Sequence, residues 1–116
     1  MVLTRNKYGH YVVTGTINQY PVVFLLDTGA THTSIPAHIA EKIGLKRGQT
    51  IRVQTANGPA TNYATRLDSV SIGDITVHDL PASINPNVSD NEVLLGMSAM
   101  KNLEFTQKGN TLTLRQ

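Results

Sequence analysis

Residues 22–31 read Val-Val-Phe-Leu-Leu-Asp-Thr-Gly-Ala-Thr, five apolar residues followed at once by an acidic one. The apolar run has the length of a buried β-strand. Because burial of an unpaired carboxylate costs free energy, Asp27 at the end of such a strand needs hydrogen bonds or a partner. Gly29 can bring a main-chain amide close to it, since glycine has no side chain. Asp and Gly also favour ordinary turns, so these three residues taken alone favour a plain turn, and only their context points to a functional site.

Alternating apolar and polar residues around this stretch predict an all-β domain. A turn at Asn18-Gln19 joins the first two strands, and Gly73-Asp74 joins two later ones. Asn57-Gly58 predicts a hairpin with a type I′ turn, in which both central residues have positive φ. The predicted strands cover residues 10–17, 22–26, 51–55, 63–67, 70–72, 75–77, 93–95 and 111–114.

Two short helices are predicted between the strands. The first begins at Pro36, with Ser34 as its N-cap, and ends at Gly44, where glycine suits a left-handed C-cap. The second covers residues 98–103. The segment before it, Val93-Leu94-Leu95-Gly96, echoes the first apolar strand, but it has glycine where the first copy continues to a carboxylate. The chain therefore repeats one structural plan and carries one Asp-Thr-Gly.

Composition limits the classes of function. The 116 residues suit one domain, residues 1–116, with 40% hydrophobic and 16% charged residues. The absence of cysteine excludes a disulfide scaffold, a thiol nucleophile and a cysteine-bound metal. No apolar run approaches the roughly 20 residues of a membrane span, so no membrane contact is expected from this segment. The net charge of +2 comes from scattered residues and the chain has only six aromatic residues, which argues against a nucleic-acid surface.

The order of these features resembles the retropepsin-like aspartic proteases, especially the bacterial single-domain members. The resemblance covers about residues 9–116, and its most specific parts are residues 24–30, 55–58 and 93–98. It implies a closed β-barrel of the acid-protease fold, with one or two short helices and half of an active site in each chain.

The resemblance also implies an activity, that of an aspartic endopeptidase working as a homodimer. Two copies of Asp27 would share a proton and activate a water molecule between them, with no metal or cofactor. Thr28 would hydrogen-bond across the dimer, and Gly29 would present its backbone to a peptide or protein substrate. The implied substrate-binding residues are Ala30 and Thr31 together with Ala56, Asn57 and Gly58, the tip of a hairpin that closes over the substrate.

Two features concern the assembly and the departures from the family pattern. Residues 111–115, and with them residues 1–6, are expected to form part of the dimer interface, since unpaired strand edges invite association.

Retroviral members carry two acidic residues after Asp-Thr-Gly-Ala and an arginine after the later glycine. This chain has Thr31, His32 and Met97 there, so its subsites differ in polar contacts while the catalytic motif is kept.

Other interpretations stay open at this point. The main alternative is a non-catalytic module of the same fold that dimerises or binds peptides, and a further one is an unrelated small β-barrel that binds ligands or nucleic acid. His32 and His38 have no third ligand and fit surface positions better than a metal site. Bacterial members are often tethered to the inner membrane by an upstream helix. A periplasmic or membrane-tethered precursor longer than this chain is therefore compatible with the resemblance.

Overall fold

Ten strands, one α-helix and one 3-10 helix make up the computed structural model. It describes residues 1–6, 10–101 and 103–116, and the backbone alone at Thr55. The α-helix, α1, is Ala37–Ile43, and the 3-10 helix is Met97–Met100. The strands are β1 Val2–Thr4, β2 Tyr11–Ile17, β3 Tyr20–Leu26, β4 Ser34–Pro36, β5 Thr50–Thr55, β6 Gly58–Ile72, β7 Ile75–Asn85, β8 Glu92–Leu95, β9 Glu104–Lys108 and β10 Thr111–Arg115.

Six of these strands close into a barrel, as predicted. The order is β2-β3-β8-β4-β7-β6, and β6 returns to β2 through the pairs Thr16 with Ser71 and Ile17 with Val70. At this closure a side chain on Gly15 would clash with the Ser71 carbonyl oxygen and with the Phe24 ring. Glycine is therefore required there because β2 and β6 approach so closely. Strand β5 extends beyond the barrel as the outer partner of β6.

The barrel interior holds the core, which follows from the alternation along each strand. Phe24 and Leu26 of β3 have no exposed surface, and Ile17, Leu67, Ile84 and Val93 reach the same centre from other strands. Burial of each such side chain contributes about 1.5–3 kcal/mol relative to exposure. The apolar run at residues 22–26 is thus the spine of the barrel, hydrogen-bonded to β2 on one side and to β8 on the other.

The turn types differ from the prediction in an instructive way. Asn18 and Gln19 both have positive φ, 50° and 71°, so the hairpin with two left-handed residues joins β2 and β3. In the later hairpin the two loop residues are Ala56 and Asn57, and Thr55 pairs with Gly58. Only Gly58 of this turn has positive φ, 105°. The predicted hairpin exists, but the prediction that Asn57-Gly58 forms the centre of a type I′ turn was wrong.

The helix predictions need a similar correction. Ser34 is not an N-cap, because it belongs to β4, where it pairs with Ser83 and Leu94. The helix begins at Ala37, and no side chain caps its start. Its predicted end at Gly44 is confirmed: φ is 85°, and the Gly44 amide donates to the carbonyl oxygens of Ala40 and Glu41. The predicted helix at 98–103 is a single 3-10 turn, Met97–Met100, and Asn102 lies outside the described residues.

The chain ends form a second, three-stranded sheet in the order β1-β10-β9. Strand β10 lies in the middle, so both of its edges are used within one chain, while among the described residues β1 and β9 each pair with β10 alone. Gln107 Nε2 donates to Tyr11 Oη over 3.1 Å and links this sheet to the barrel. In the described part of the chain, no helix is both long enough and apolar enough to cross a lipid bilayer.

Candidate active site

Strand β3 delivers Asp27 to the edge of the barrel. The Asp27 amide donates to the Leu95 carbonyl oxygen over 3.1 Å, which continues the parallel pairing of β3 with β8. The Asp27 carbonyl oxygen then accepts from the Ala30 amide, also at 3.1 Å, and the chain turns back. The carboxylate therefore leaves the core at the point where the strand stops, with 32% of its side chain exposed.

One hydrogen bond orients the Asp27 carboxylate, and a histidine side chain lies near it. Its Oδ1 accepts a hydrogen bond of 2.9 Å from the Gly29 amide, as the sequence predicted for this glycine. Its Oδ2 lies 3.8 Å from Nε2 of His10, whose side chain is 35% exposed. A Cβ added to Gly29 would come within 3.3 Å of Oδ1, so glycine also leaves room for the carboxylate. The arrangement orients an acid group that solvent, and so a reactant, can reach.

The segment at residues 93–98, which repeats the pattern of the Asp27 strand and loop, is hydrogen-bonded to this loop. The amides of Met97 and Ser98 donate to the carbonyl oxygens of Ala30 and Thr31 over 2.8 and 2.9 Å. These bonds are possible because Gly96 has no side chain to separate the two segments. Residues 96–98, which carry no carboxylate, therefore fix the position of the Asp27 loop through main-chain hydrogen bonds.

A cavity of about 1180 Å³ opens directly beside the Asp27 loop, and its wall starts at Ala30 and Thr31. Both are predicted substrate-binding residues; Ala30 is half-buried and Thr31 is exposed. The three residues that directly precede Ala30 in the sequence, Asp27, Thr28 and Gly29, do not line the cavity. Its other walls come from the β4 region, the loop after α1, β5, β6 and the β7–β8 region: His32, Thr33, Ser34, Gly44, Leu45, Lys46, Gly48, Ile51, Val53, Asn62, Ala64, Thr65, Arg66, Asp68, Pro81, Ala82, Ser83 and Leu94, with Asn18.

The structure does not bring the predicted hairpin-tip residues to this cavity. Ala56, Asn57 and Gly58 form the far end of the β5–β6 hairpin, whereas the cavity is lined by Ile51 and Val53 nearer its base. Ala56 and Asn57 are exposed to solvent and Gly58 is half-buried. The arms of the hairpin, and not its tip, belong to the cavity wall in this chain.

From the sequence, His10 was predicted only as the first residue of the strand 10–17, and its proximity to Asp27 was missed. The signal was available in the register of the first hairpin. A two-residue turn at Asn18-Gln19 pairs Tyr11 with Leu26, and the next position on each strand is then His10 opposite Asp27. Asn62 was also missed, because an asparagine in a strand pattern is normally exposed, whereas the structure leaves it only 8% exposed. His38, weighed as a metal ligand, lies 3.1 Å from Asn91 Oδ1 through its Nε2.

Comparison with known proteins identifies the family. The family model described as "gag-polyprotein putative aspartyl protease" matches residues 13–102, most of the chain. An uncharacterized protein from Sinorhizobium sp, encoded in the cobV 5′ region, is 34% identical over 110 residues. These cover 92% of this chain and 47% of that protein, so the chain spans about half the length of this curated relative.

Two solved structures share the fold. A retropepsin-like aspartic protease from Rickettsia conorii superposes with a TM-score of 0.81 and 24% identity, over 98% of this chain and 88% of that one. EIAV protease in complex with an inhibitor gives a TM-score of 0.67 and 16% identity, over 86% and 93% of the two chains. At these identities the likeness establishes the architecture, and the residues that the family model matches include those of the Asp27 loop. The chain belongs to the retropepsin-like aspartic protease family.

Proposed function

We propose that this chain is an aspartic endopeptidase that is active as a homodimer, with one Asp27 from each copy. The observation that carries the proposal is the Asp27 loop itself. A solvent-accessible carboxylate follows a buried strand and accepts a hydrogen bond from the Gly29 amide, and a large cavity begins three residues later. The repeated segment offers Gly96 instead of a second acid, so one chain supplies one carboxylate.

Two carboxylates about 3 Å apart do not both ionise, so an Asp27 pair would share one proton. The ionised Asp27 accepts a proton from a water molecule while the water oxygen attacks the peptide carbonyl carbon. The protonated Asp27 donates a hydrogen bond to the carbonyl oxygen, which becomes negatively charged. Proton transfer to the amide nitrogen then lets the carbon–nitrogen bond break, and a carboxylic acid and an amine leave.

The other residues of the loop have supporting roles in this proposal. The Gly29 amide keeps Oδ1 of its own Asp27 in a fixed direction, which orients the carboxylate toward the shared water. Thr28 would bond across the two-fold axis and keep the two loops in register. The substrate would bind in extended form, its side chains alternating into pockets beside Ala30 and Thr31. The hairpin tip, Ala56, Asn57 and Gly58, would close over it and exclude water.

The test compares wild-type protein with Asp27→Asn, a substitution that keeps the shape of the side chain and removes the acid. Wild type should cleave peptides of a diverse library, and Asp27→Asn should lose at least about a thousandfold in kcat/KM. Asp74→Asn, in the exposed Gly73-Asp74 turn, is the matched control and should cleave like wild type. Undiminished cleavage by Asp27→Asn would refute the proposal.

A binding measurement separates a protease from a non-catalytic module of the same fold. A peptide in which a hydroxyl-bearing carbon replaces the scissile amide imitates the tetrahedral intermediate. A protease binds such a mimic about a hundredfold or more tightly than the matching peptide. Equal affinity for the two, in a folded dimer that cleaves nothing, would instead assign the chain to the module.

A further inference from the structure

The cavity beside the Asp27 loop contains an unusual polar group. Among the described residues, two buried side-chain oxygens have no hydrogen-bond partner, Oγ1 of Thr33 and Oδ1 of Asn62. Both residues belong to the cavity lining, but Thr33 is completely enclosed, whereas Asn62 keeps 8% of its surface exposed. Buried acceptors are nearly always paired in folded proteins, so the unpaired Asn62 Oδ1 is an exception that needs an explanation. A molecule bound in the cavity can supply the missing donor.

Asn62 is placed where a bound chain would meet it. It lies on β6 opposite Ile51, in the arms of the hairpin that forms one wall of the cavity. Ala30 and Thr31 of the Asp27 loop form another part of the wall of the same cavity. The last torsion of an asparagine side chain is broad, so its oxygen can turn to meet a donor inside the cavity.

The charges around Asn62 narrow the chemistry of that donor. Lys46 and Arg66 line the cavity against one acid, Asp68, and Arg66 is already paired with Asp79 at 2.9 Å. Because Asp79 neutralises Arg66 and Lys46 is balanced by Asp68, these groups carry no net charge and favour a charged side chain of neither sign. An ionised carboxylate has no hydrogen to donate to Asn62 Oδ1, and an aliphatic side chain would leave that oxygen unpaired. An uncharged donor fits all of these conditions, and among uncharged side chains a primary amide has two N–H groups that can donate to Asn62 Oδ1, whereas a hydroxyl has one.

We infer that this cavity takes a primary-amide side chain of the substrate, asparagine or glutamine, and that Asn62 is the residue that selects it. The inference rests on the proposed function, because it concerns which peptides that site accepts. A cavity of about 1180 Å³ has room for a side chain as long as glutamine. The amide N–H of the substrate would donate to Asn62 Oδ1 and supply the missing partner.

The test is a cleavage profile of a peptide library, read by mass spectrometry, for wild type, Asn62→Leu and Asn62→Asp. In wild type one position near the cleaved bond should be enriched in Asn and Gln by at least about fivefold, the scale expected of an unpaired acceptor. Asn62→Leu should lose this enrichment and favour Leu or Met there. Asn62→Asp, which keeps an acceptor and adds a negative charge, should gain lysine and remains decisive if Asn62→Leu does not fold.

Controls make the two possible failures distinguishable. Asn87→Leu, the same substitution in the exposed loop after β7, should keep the wild-type profile. Binding of paired peptides, Gln against Met at the selected position, is also measured in Asp27→Asn, where no turnover is needed. If wild type cleaves nothing, the proposed function fails. If wild type cleaves peptides but shows no amide enrichment, prefers Ser or Thr there, or shares its profile with both Asn62 variants, the inference about Asn62 is wrong.

Discussion

Gly96 lies so close to His32 that a Cβ on Gly96 would sit 2.5 Å from the His32 carbonyl oxygen. The same Cβ would be 2.7 Å from the carbonyl carbon of Thr31. Both neighbours are main-chain atoms, so no rotamer change can relieve the contact. The φ of Gly96 is −90°, a value that any residue adopts, so this glycine is required by space and not by conformation.

Gly96→Ala should therefore destabilise the protein by about 1–3 kcal/mol, the cost of overpacking a well-filled site. It should also lower activity in the protein that remains folded, because the displaced segment carries the amides that bind Ala30 and Thr31. Denaturant unfolding and initial rates measure the two effects. Ser98→Ala, two residues away, should stay within about 0.5 kcal/mol of wild type. Equal stability of Gly96→Ala and wild type would contradict the packing argument.

Specific activity should fall when the protein is diluted, because the proposed site needs one Asp27 from each of two chains. The measurement is the initial rate against protein concentration at fixed substrate, with sedimentation on the same samples. The loss of rate should coincide with the loss of dimer. A specific activity that stays constant into the range where sedimentation finds only monomer would exclude a shared site.

Val2→Lys should weaken the dimer. The prediction that residues 111–115 and 1–6 help to form the interface stays a prediction, but the topology refines it. Strand β10 is paired on both sides and has no free edge for a second copy. In the described part of the chain β1 pairs only with β10, which leaves its other edge open, and Val2 on β1 is 66% exposed. A lysine at an open edge opposes pairing with another strand, so the dimer dissociation constant should rise at least about tenfold. Val88→Lys, at another exposed valine, should leave it unchanged.

Gly58→Ala should impair catalysis more than stability. Gly58 has a φ of 105°, where an added Cβ costs roughly 1–2 kcal/mol. Gly109, with a φ of 58° in the β9–β10 turn, is the matched control, since neither glycine has an atom within 4 Å of an added Cβ. Both Ala variants should lose stability, Gly58→Ala the more because a φ of 105° lies outside the small left-handed region that contains 58°. Only Gly58→Ala should lower kcat/KM if the hairpin acts as a lid. If Gly58→Ala and Gly109→Ala are equally active at protein concentrations well above the dissociation constant of the proposed dimer, the hairpin does not act as a lid.

Local pattern was a good guide wherever neighbouring residues determine the structure. The strand at residues 22–26, the turn at Asn18-Gln19, the hairpin at Gly73-Asp74 and the helix end at Gly44 were all predictable, because alternation and turn chemistry act over a few residues. Ser34 was misassigned because the same local chemistry suits a cap, while the actual pairing of β4 with β7 and β8 depends on residues 49 and 60 positions away. No local rule contains that information.

By itself, the sequence determined an all-β domain, its central apolar strand and the acid at the end of that strand, since an apolar strand followed by Asp-Thr-Gly is a short-range pattern with a physical cause. The closed barrel was implied only by the resemblance to a known family. The tertiary structure alone decided how Gly96 clamps the Asp27 loop and which oxygen stays unpaired in the cavity beside it. It also decided which terminal strand keeps an open edge. These properties depend on backbone segments that meet in space after folding, and close packing, unlike periodicity, leaves no trace in the order of neighbouring residues.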